Sequence, residues 1–259
     1  MKPVARAEVL FDGPGEPPPP PTPALRLRLL GGFDLRAGDE IVTLPLNVRR
    51  LLALLGVRER PQTRTMIAYT LWMDTSPPRA TANLRSTLWK LGPQRQRLLQ
   101  TDVERLWLAD TVEVDLARVV AQGKRLIGPG RELLPGDTDV DELSQDLLPD
   151  WDEEWLRDER ERLRQLRMHA LEGLCARLRT DGRDAEAVCA GQAAVAAEPL
   201  RESAQRLLIT AHLAEGNVSE ARRQFEIYRS LLWENLHVSP SPQMLRLLAT
   251  SAARPQTVR

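Results

Sequence analysis

The stretch PPRATANLRSTLWKLG, residues 77–92, has the punctuation of a helix and an unusual division of its faces. Ser76 is placed as N-cap, a proline stands just inside the start, and Gly92-Pro93 closes the run. On a helical wheel Leu84, Leu88 and Leu91 share one side. The opposite side carries Arg79, Ala82, Asn83, Ser86, Trp89 and Lys90, with Arg85 flanking it. A helix that buries leucine and turns arginine, asparagine, tryptophan and lysine outward is built to meet something polar and extended.

Its neighbours in sequence give it a frame. NVRRLLALLGVRE, after Pro45, has a core stripe of Leu51, Leu52, Leu54 and Leu55. TRTMIAYTLWMD follows, with Met66, Ile67, Leu71 and Trp72 expected inside. After the third helix, RLLQTDVERLWLAD gives two apolar runs around Asp102-Val103-Glu104, which reads as a hairpin. Before all three, ALRLRLLGGFDLRAGDEIVTLPL alternates leucine with arginine and turns at Gly31-Gly32, so a small antiparallel sheet precedes the helices. Sheet, three helices and hairpin, in that order, predict a winged helix–turn–helix over 24–111, whose third helix enters the major groove of duplex DNA.

On that reading Asn83 suits adenine, Arg79 and Lys90 suit guanine or phosphate, Ala82 suits a thymine methyl, and Ser86 donates to phosphate or a base. Trp89 either packs under the wing or lies along a sugar–phosphate edge, and packing is the expectation. Arg64, Arg85 and Arg105 add positive charge nearby.

Charge supports this frame. Lysine plus arginine and aspartate plus glutamate both number 36, so the chain is neutral as a whole. Residues 49–107, however, hold eleven basic residues against four acids, a net charge of +7. Residues 132–160 hold twelve acids against two arginines, a net charge of −10. A basic module is the electrostatic footprint expected of a nucleic-acid binder. The acidic run reads either as a solvated surface or as a regulatory, partner-facing patch.

Beyond residue 112 everything reads helical. VDLARVVAQGKRLI is amphipathic, the acidic 131–150 segment is a loop with one short turn, and WDEEWLRDERERLRQLRMHALEGLCARLR is a long helix followed by four shorter ones. Gly182, Glu186 and Ala187 recur as Gly216, Glu220 and Ala221, each 34 residues on, the period of tetratricopeptide helix pairs. The fold class is therefore mainly α with a small antiparallel β-sheet: an N-terminal winged helix, then an all-α tetratricopeptide-like domain over 112–252. Residues 1–23, with five consecutive prolines, read as a disordered leader, and 253–259 as a tail.

Taken together, LRLRLLGGFDLRAGDEIVTLPLNVRRLLALLGV, TLW, RATANLRSTLWKL and LLQTDVERLWL resemble the N-terminal domain of SARP-type transcriptional activators, the antibiotic regulatory proteins. VDLARVV, WDEEWLRDERERLRQLRMHALE and EARRQFEIYRSLLWENLHVSPSPQM resemble their bacterial transcriptional activator domain, so the likeness covers roughly residues 24–250. The resemblance implies an OmpR-type winged helix, binding to direct repeats in promoter DNA, recruitment of RNA polymerase holoenzyme, a homodimer on DNA, and control of secondary-metabolite genes. By position, Lys90 matches a base-reaching basic residue, Trp72 a tryptophan near phosphate, and Arg105 the wing. Gly92 replaces a second basic residue, and Asp102 and Glu104 make the wing tip acidic.

No nucleotide loop, nucleophile elbow or metal-ligand spacing is present in the sequence, so no catalytic residue, metal or cofactor is expected. Cys175 and Cys189 read as buried apolar residues of a reducing compartment. No apolar run approaches membrane-helix length and no signal peptide is evident, so the cytoplasm is the expected location. The alternative is a protein-interaction scaffold with a degenerate winged helix.

Overall fold

The computed structural model describes residues 24–128 and 132–252; the expected leader 1–23 and tail 253–259 lie outside the described residues. The chain opens with β1 (Leu25–Arg28), β2 (Asp34–Ala37) and β3 (Glu40–Ile41), an antiparallel meander in which Leu27 faces Leu35. Alternation decides the faces: Leu25 and Leu27 are buried while Arg26 and Arg28 point to solvent. Three helices follow: α1 (Leu46–Arg58), α2 (Arg64–Leu71) after the two-residue strand β4 (Gln62–Thr63), and α3 (Pro77–Lys90). Helix α1 buries Val48, Leu51, Leu52, Leu54 and Leu55. Its Gly56 sits so close under the sheet that a Cβ there would meet Leu29 at 3.0 Å and Leu27 at 3.2 Å.

A short helix, α4 (Arg95–Leu98), leads into β5 (Leu99–Thr101) and β6 (Arg105–Leu108). These pair antiparallel, with β4 on the free edge of β6, to form a second sheet in the order β4-β6-β5. β7 (Val112–Val114) then returns to lie parallel to β1, giving the first sheet the order β3-β2-β1-β7. The N-terminal sheet is thus mixed, not purely antiparallel, because the hairpin carries the chain back to the far edge of β1. Helix α5 (Asp115–Ile127) starts at once. The Asp115 carboxylate accepts hydrogen bonds from the Leu29 and Leu30 amides at 2.9 to 3.0 Å, fixing α5 against the end of β1. Burial pushes this carboxyl above its ordinary range in spite of those amides.

The acidic 132–153 segment is anchored on the core by its apolar residues, while Glu132, Asp139, Asp141, Asp146, Asp150 and Asp152 stay exposed to solvent. Leu143, Leu147 and Leu148 are buried, Leu30 and Leu147 form an antiparallel bridge, and the Leu148 amide donates to the Leu29 carbonyl at 2.9 Å. Trp151 stacks on Phe33 with ring centroids 5.7 Å apart. Acids of this run pair with cations of the protein itself: Asp137 with Arg125, Glu142 with Arg118 and Asp146 with Arg167. Some acids of the run are thus neutralised within the protein because its apolar residues pull it onto the core, and the others form a solvated surface.

The rest is helical: α6 (Glu154–Thr180), α7 (Asp184–Ala197), α8 (Glu202–Ala214), α9 (Val218–Leu236) and α10 (Pro242–Ala252). The 34-residue repeat has a common geometry. Gly182 and Gly216 take φ of +71° and +85°, and the following amides, of Arg183 and Asn217, reach back to the Leu178 and His212 carbonyls at 2.8 Å. Each is a glycine-terminated helix end, and each repeat then buries its alanine, Ala187 or Ala221, completely. One apolar core runs from β1 through α1, α5 and α6 to α8; a smaller cluster of Ile209, Phe225, Tyr228, Leu232 and Met244 closes the far end.

Candidate nucleic-acid interface

Helix α3 is presented by four local devices. The Thr63 hydroxyl accepts from the Met66 amide at 3.3 Å and caps α2, and the Arg64 amide donates to the Glu104 carbonyl, tying α2 to the hairpin. Between α2 and α3, the Thr75 amide and hydroxyl both donate to the Trp72 carbonyl, at 3.1 and 2.9 Å, and set a tight turn. Pro77 and Pro78 then fix the first helical dihedrals. They also remove two of the amides a helix start would offer an anion, which leaves that work to side chains.

The leucine side of α3 is inward as its period predicts: Ala80, Leu84, Thr87, Leu88 and Leu91 are buried, and the Thr87 hydroxyl is satisfied by the Asn83 carbonyl at 2.9 Å. Arg79, Ala82, Arg85, Ser86, Trp89 and Lys90 are exposed together on the outer side, and Asn83 is half-buried at its margin. Among the described residues, the side chains of Arg79, Arg85 and Lys90 have no hydrogen-bond or ion-pair partner. Trp89 corrects the expectation: it is 82% exposed and does not pack beneath the wing. Helix α2 brings a second correction, since Met66 is 56% exposed whereas Ile67 and Leu71 are buried. Trp72 is half-buried at the α2 C-cap, against the core rather than projecting from it.

The β5–β6 hairpin forms the wing. The Asp102 carboxylate accepts from the Glu104 and Arg105 amides at 2.8 and 2.6 Å, an Asx turn that shapes the tip. These bonds, first that from Arg105, hold its carboxyl below the ordinary range, and the positive charges of Arg105 and Arg64 act in the same direction. Asp102 is therefore a turn former rather than a free acid aimed at a partner. Val103, between the two acids of the turn, is 93% exposed at the tip. Across the hairpin, the Trp107 indole donates to the Gln100 side chain at 2.7 Å and stiffens the base of the wing.

Arg50 and Arg58, two basic residues of the module, are engaged away from the α3 face. Arg50 binds Glu153 through two nitrogens, and Arg58 binds Glu159 at 2.7 Å. Both acids stand at the start of α6, so these pairs join the winged helix to the helical domain. No periodicity within either segment signals such a contact.

Residues 140–250 match the family model of the bacterial transcriptional activator domain. No curated protein matches the chain. Among solved structures, the chain is similar to Mycobacterium tuberculosis EmbR, determined in complex with a low-affinity phosphopeptide: 21% identity and a TM-score of 0.65 over 88% of this chain and 65% of that one. At that identity the likeness speaks for the fold. Residues 140–250 thus carry a domain of the bacterial transcriptional activator type. In this chain a winged-helix arrangement precedes the stretch that matches the bacterial transcriptional activator domain, and the likeness in fold to EmbR covers 88% of the chain. Among the described residues no helix is long and apolar enough to cross a membrane.

Proposed function

We propose that the protein is a cytoplasmic, sequence-specific DNA-binding activator that seats α3 in the major groove of promoter DNA. The observation that carries this reading is the outer side of α3, where Arg79, Arg85 and Lys90 stand exposed beside Ala82, Ser86 and Trp89, without partners among the described residues. Lys90 and Arg79 contact guanine or phosphate, Ala82 a thymine methyl, Ser86 a phosphate or base, and Asn83 reaches adenine from the margin of the face. Trp89, being exposed, lies along a sugar–phosphate edge. Arg64 and Arg105 bring the wing onto the adjacent backbone, and Trp72 supports the turn that sets α3 at its angle.

Two modules divide the work: 24–111 binds DNA, with β7 of the following stretch completing its sheet, and 112–252 acts as the activator domain. The protein binds direct repeats as a homodimer, recruits RNA polymerase holoenzyme and regulates secondary-metabolite genes. Support for a protein contact comes from α2, where Met66 and Tyr69 stand exposed at helical spacing, with Met73 exposed in the turn just beyond its end. The test is selection of bound sequences from a random duplex pool by the full chain. Enrichment of one motif in tandem copies at helical-turn spacing is the expected result; a pool without any enriched motif would favour the interaction-scaffold alternative.

A further inference from the structure

The seam between the two modules contains an apolar hollow of about 270 Å3 that neither DNA contact nor the activator assignment uses. Helix α1 ends over it with Val57; α5 contributes Val120 and Lys124, one turn apart on the same side; α6 contributes Leu163 and Leu166, and Leu147 of the acidic segment closes it. Val57, Val120 and Leu166 pack on the shared core yet remain partly exposed, so the seam leaves hydrocarbon uncovered there. Gly123 helps to make the room, since its missing Cβ lets Leu166 lean onto α5 where a methyl would sit 3.0 Å from Cγ.

The rim has a definite charge. Glu159 is engaged by Arg58 at 2.7 Å and by Arg162 at 3.1 Å, and Glu59 is exposed where α1 ends. Lys124 is exposed and has no hydrogen bond or ion pair among the described residues. With Arg58 counted, cations outnumber acids three to two, and the unmatched one stands on the α5 side.

We infer that this hollow is a binding site for a compact apolar carboxylic acid, its carboxylate at Lys124 and its hydrocarbon on Val57, Val120 and Leu166. The volume lies just below the ~300–1,000 Å3 common for ligand pockets, and an apolar lining with one convergent charge is their usual chemistry. Because α1 belongs to the winged helix while α5 and α6 belong to the helical domain, such a ligand bridges the two modules and stabilises their joint arrangement.

The site is tested on the full chain without DNA, so its outcome is separate from that of the DNA-binding reading. Octanoate is titrated calorimetrically, with 1-octanol and octylammonium as neutral and cationic comparators of the same length. The expected result is saturable one-site binding of octanoate, tighter than either comparator. Lys124→Glu, at an exposed position, is expected to weaken octanoate by about tenfold or more while leaving 1-octanol unchanged. Val120→Trp, checked for folding by circular dichroism, is expected to abolish both. Absence of saturable octanoate binding, equal or tighter binding of octylammonium, or octanoate binding unchanged in Lys124→Glu would overturn the inference.

Discussion

Arg50 and Glu153, 103 positions apart in sequence, meet in a two-pronged ion pair, with Nε to Oε1 at 2.5 Å and Nη2 to Oε2 at 2.8 Å. Neither side chain is more than one-fifth exposed, at 19% and 17%. The same Nη2 donates to the Leu71 carbonyl at 2.7 Å, at the end of α2, and the Trp155 indole donates to Glu153 Oε2 at 3.0 Å. One guanidinium thus links the positioning helix of the winged helix to the entrance of the helical domain. Planar two-point geometry is what arginine supplies and lysine does not.

Breaking this clamp leaves a largely buried charge unpaired. Arg50→Ala and Glu153→Ala are each expected to destabilise the protein by about 2–4 kcal/mol, with strong coupling in the double variant. Urea denaturation of the two single variants and the double variant measures it. Losses below about 0.5 kcal/mol would show that the ion pair carries no weight, as surface pairs often do not.

Helix α6 passes the end of α5 at Gly173, where an added Cβ would lie 2.5 Å from the Leu126 carbonyl oxygen. Backbone cannot step aside as a flexible side chain does. Gly173→Ala is therefore expected to cost about 1–3 kcal/mol, although alanine is the better helix former by about 1 kcal/mol. A melting temperature equal to or above that of the parent would contradict the close approach.

The clamp and the close approach at Gly173 mark where the sequence stops being legible. Periods of 3.6 and 2 identify α3, its leucine side and the strands, because those signals are local. The glycine recurrence likewise announces two similar helix ends, since a left-handed residue is needed there. Arg50 and Arg58 look like DNA-facing cations in sequence, and only folding brings Glu153 and Glu159 to them. Met66 and Trp89 are apolar residues left outside, against the one-way tendency that sequence patterning relies on. The outer residues of α3 can be placed on a face by periodicity, but exposure and lack of partners are properties of the surroundings.

The two cysteines part company for the same reason. Cys175 is buried, and burial pushes its thiol up to about 11, whereas Cys189 is exposed, contrary to the expectation that both are core residues. At mildly alkaline pH, dithionitrobenzoate is expected to modify one thiol rapidly, Cys189, and the second only on unfolding. Equal, fast reaction of both in the native protein would contradict this placement.

The Asp102 turn predicts a pH response in the wing. Its folded carboxyl titrates below the ordinary value of 3.8 because the Arg105 and Glu104 amides bind the charged form. For such a depressed carboxyl, the stabilisation is fully present above the unfolded value and is lost as pH falls through the folded one. Amide resonances of Glu104 and Arg105 should therefore hold their positions down to about pH 4 and move below it, and Asp102→Ala should abolish that movement. Movement centred well above the ordinary value would contradict the turn.

The central claim is that the outer side of α3 meets duplex DNA, and fluorescence anisotropy on a selected sequence over a salt series tests it most directly. Lys90→Ala is expected to cost about 1–3 kcal/mol at the selected site, and the Arg79→Ala, Lys90→Ala pair more, with a salt slope shallower by about 0.9 for each phosphate the variant no longer neutralises. Affinity and slope unchanged in the double variant, with the fold intact, would contradict the account.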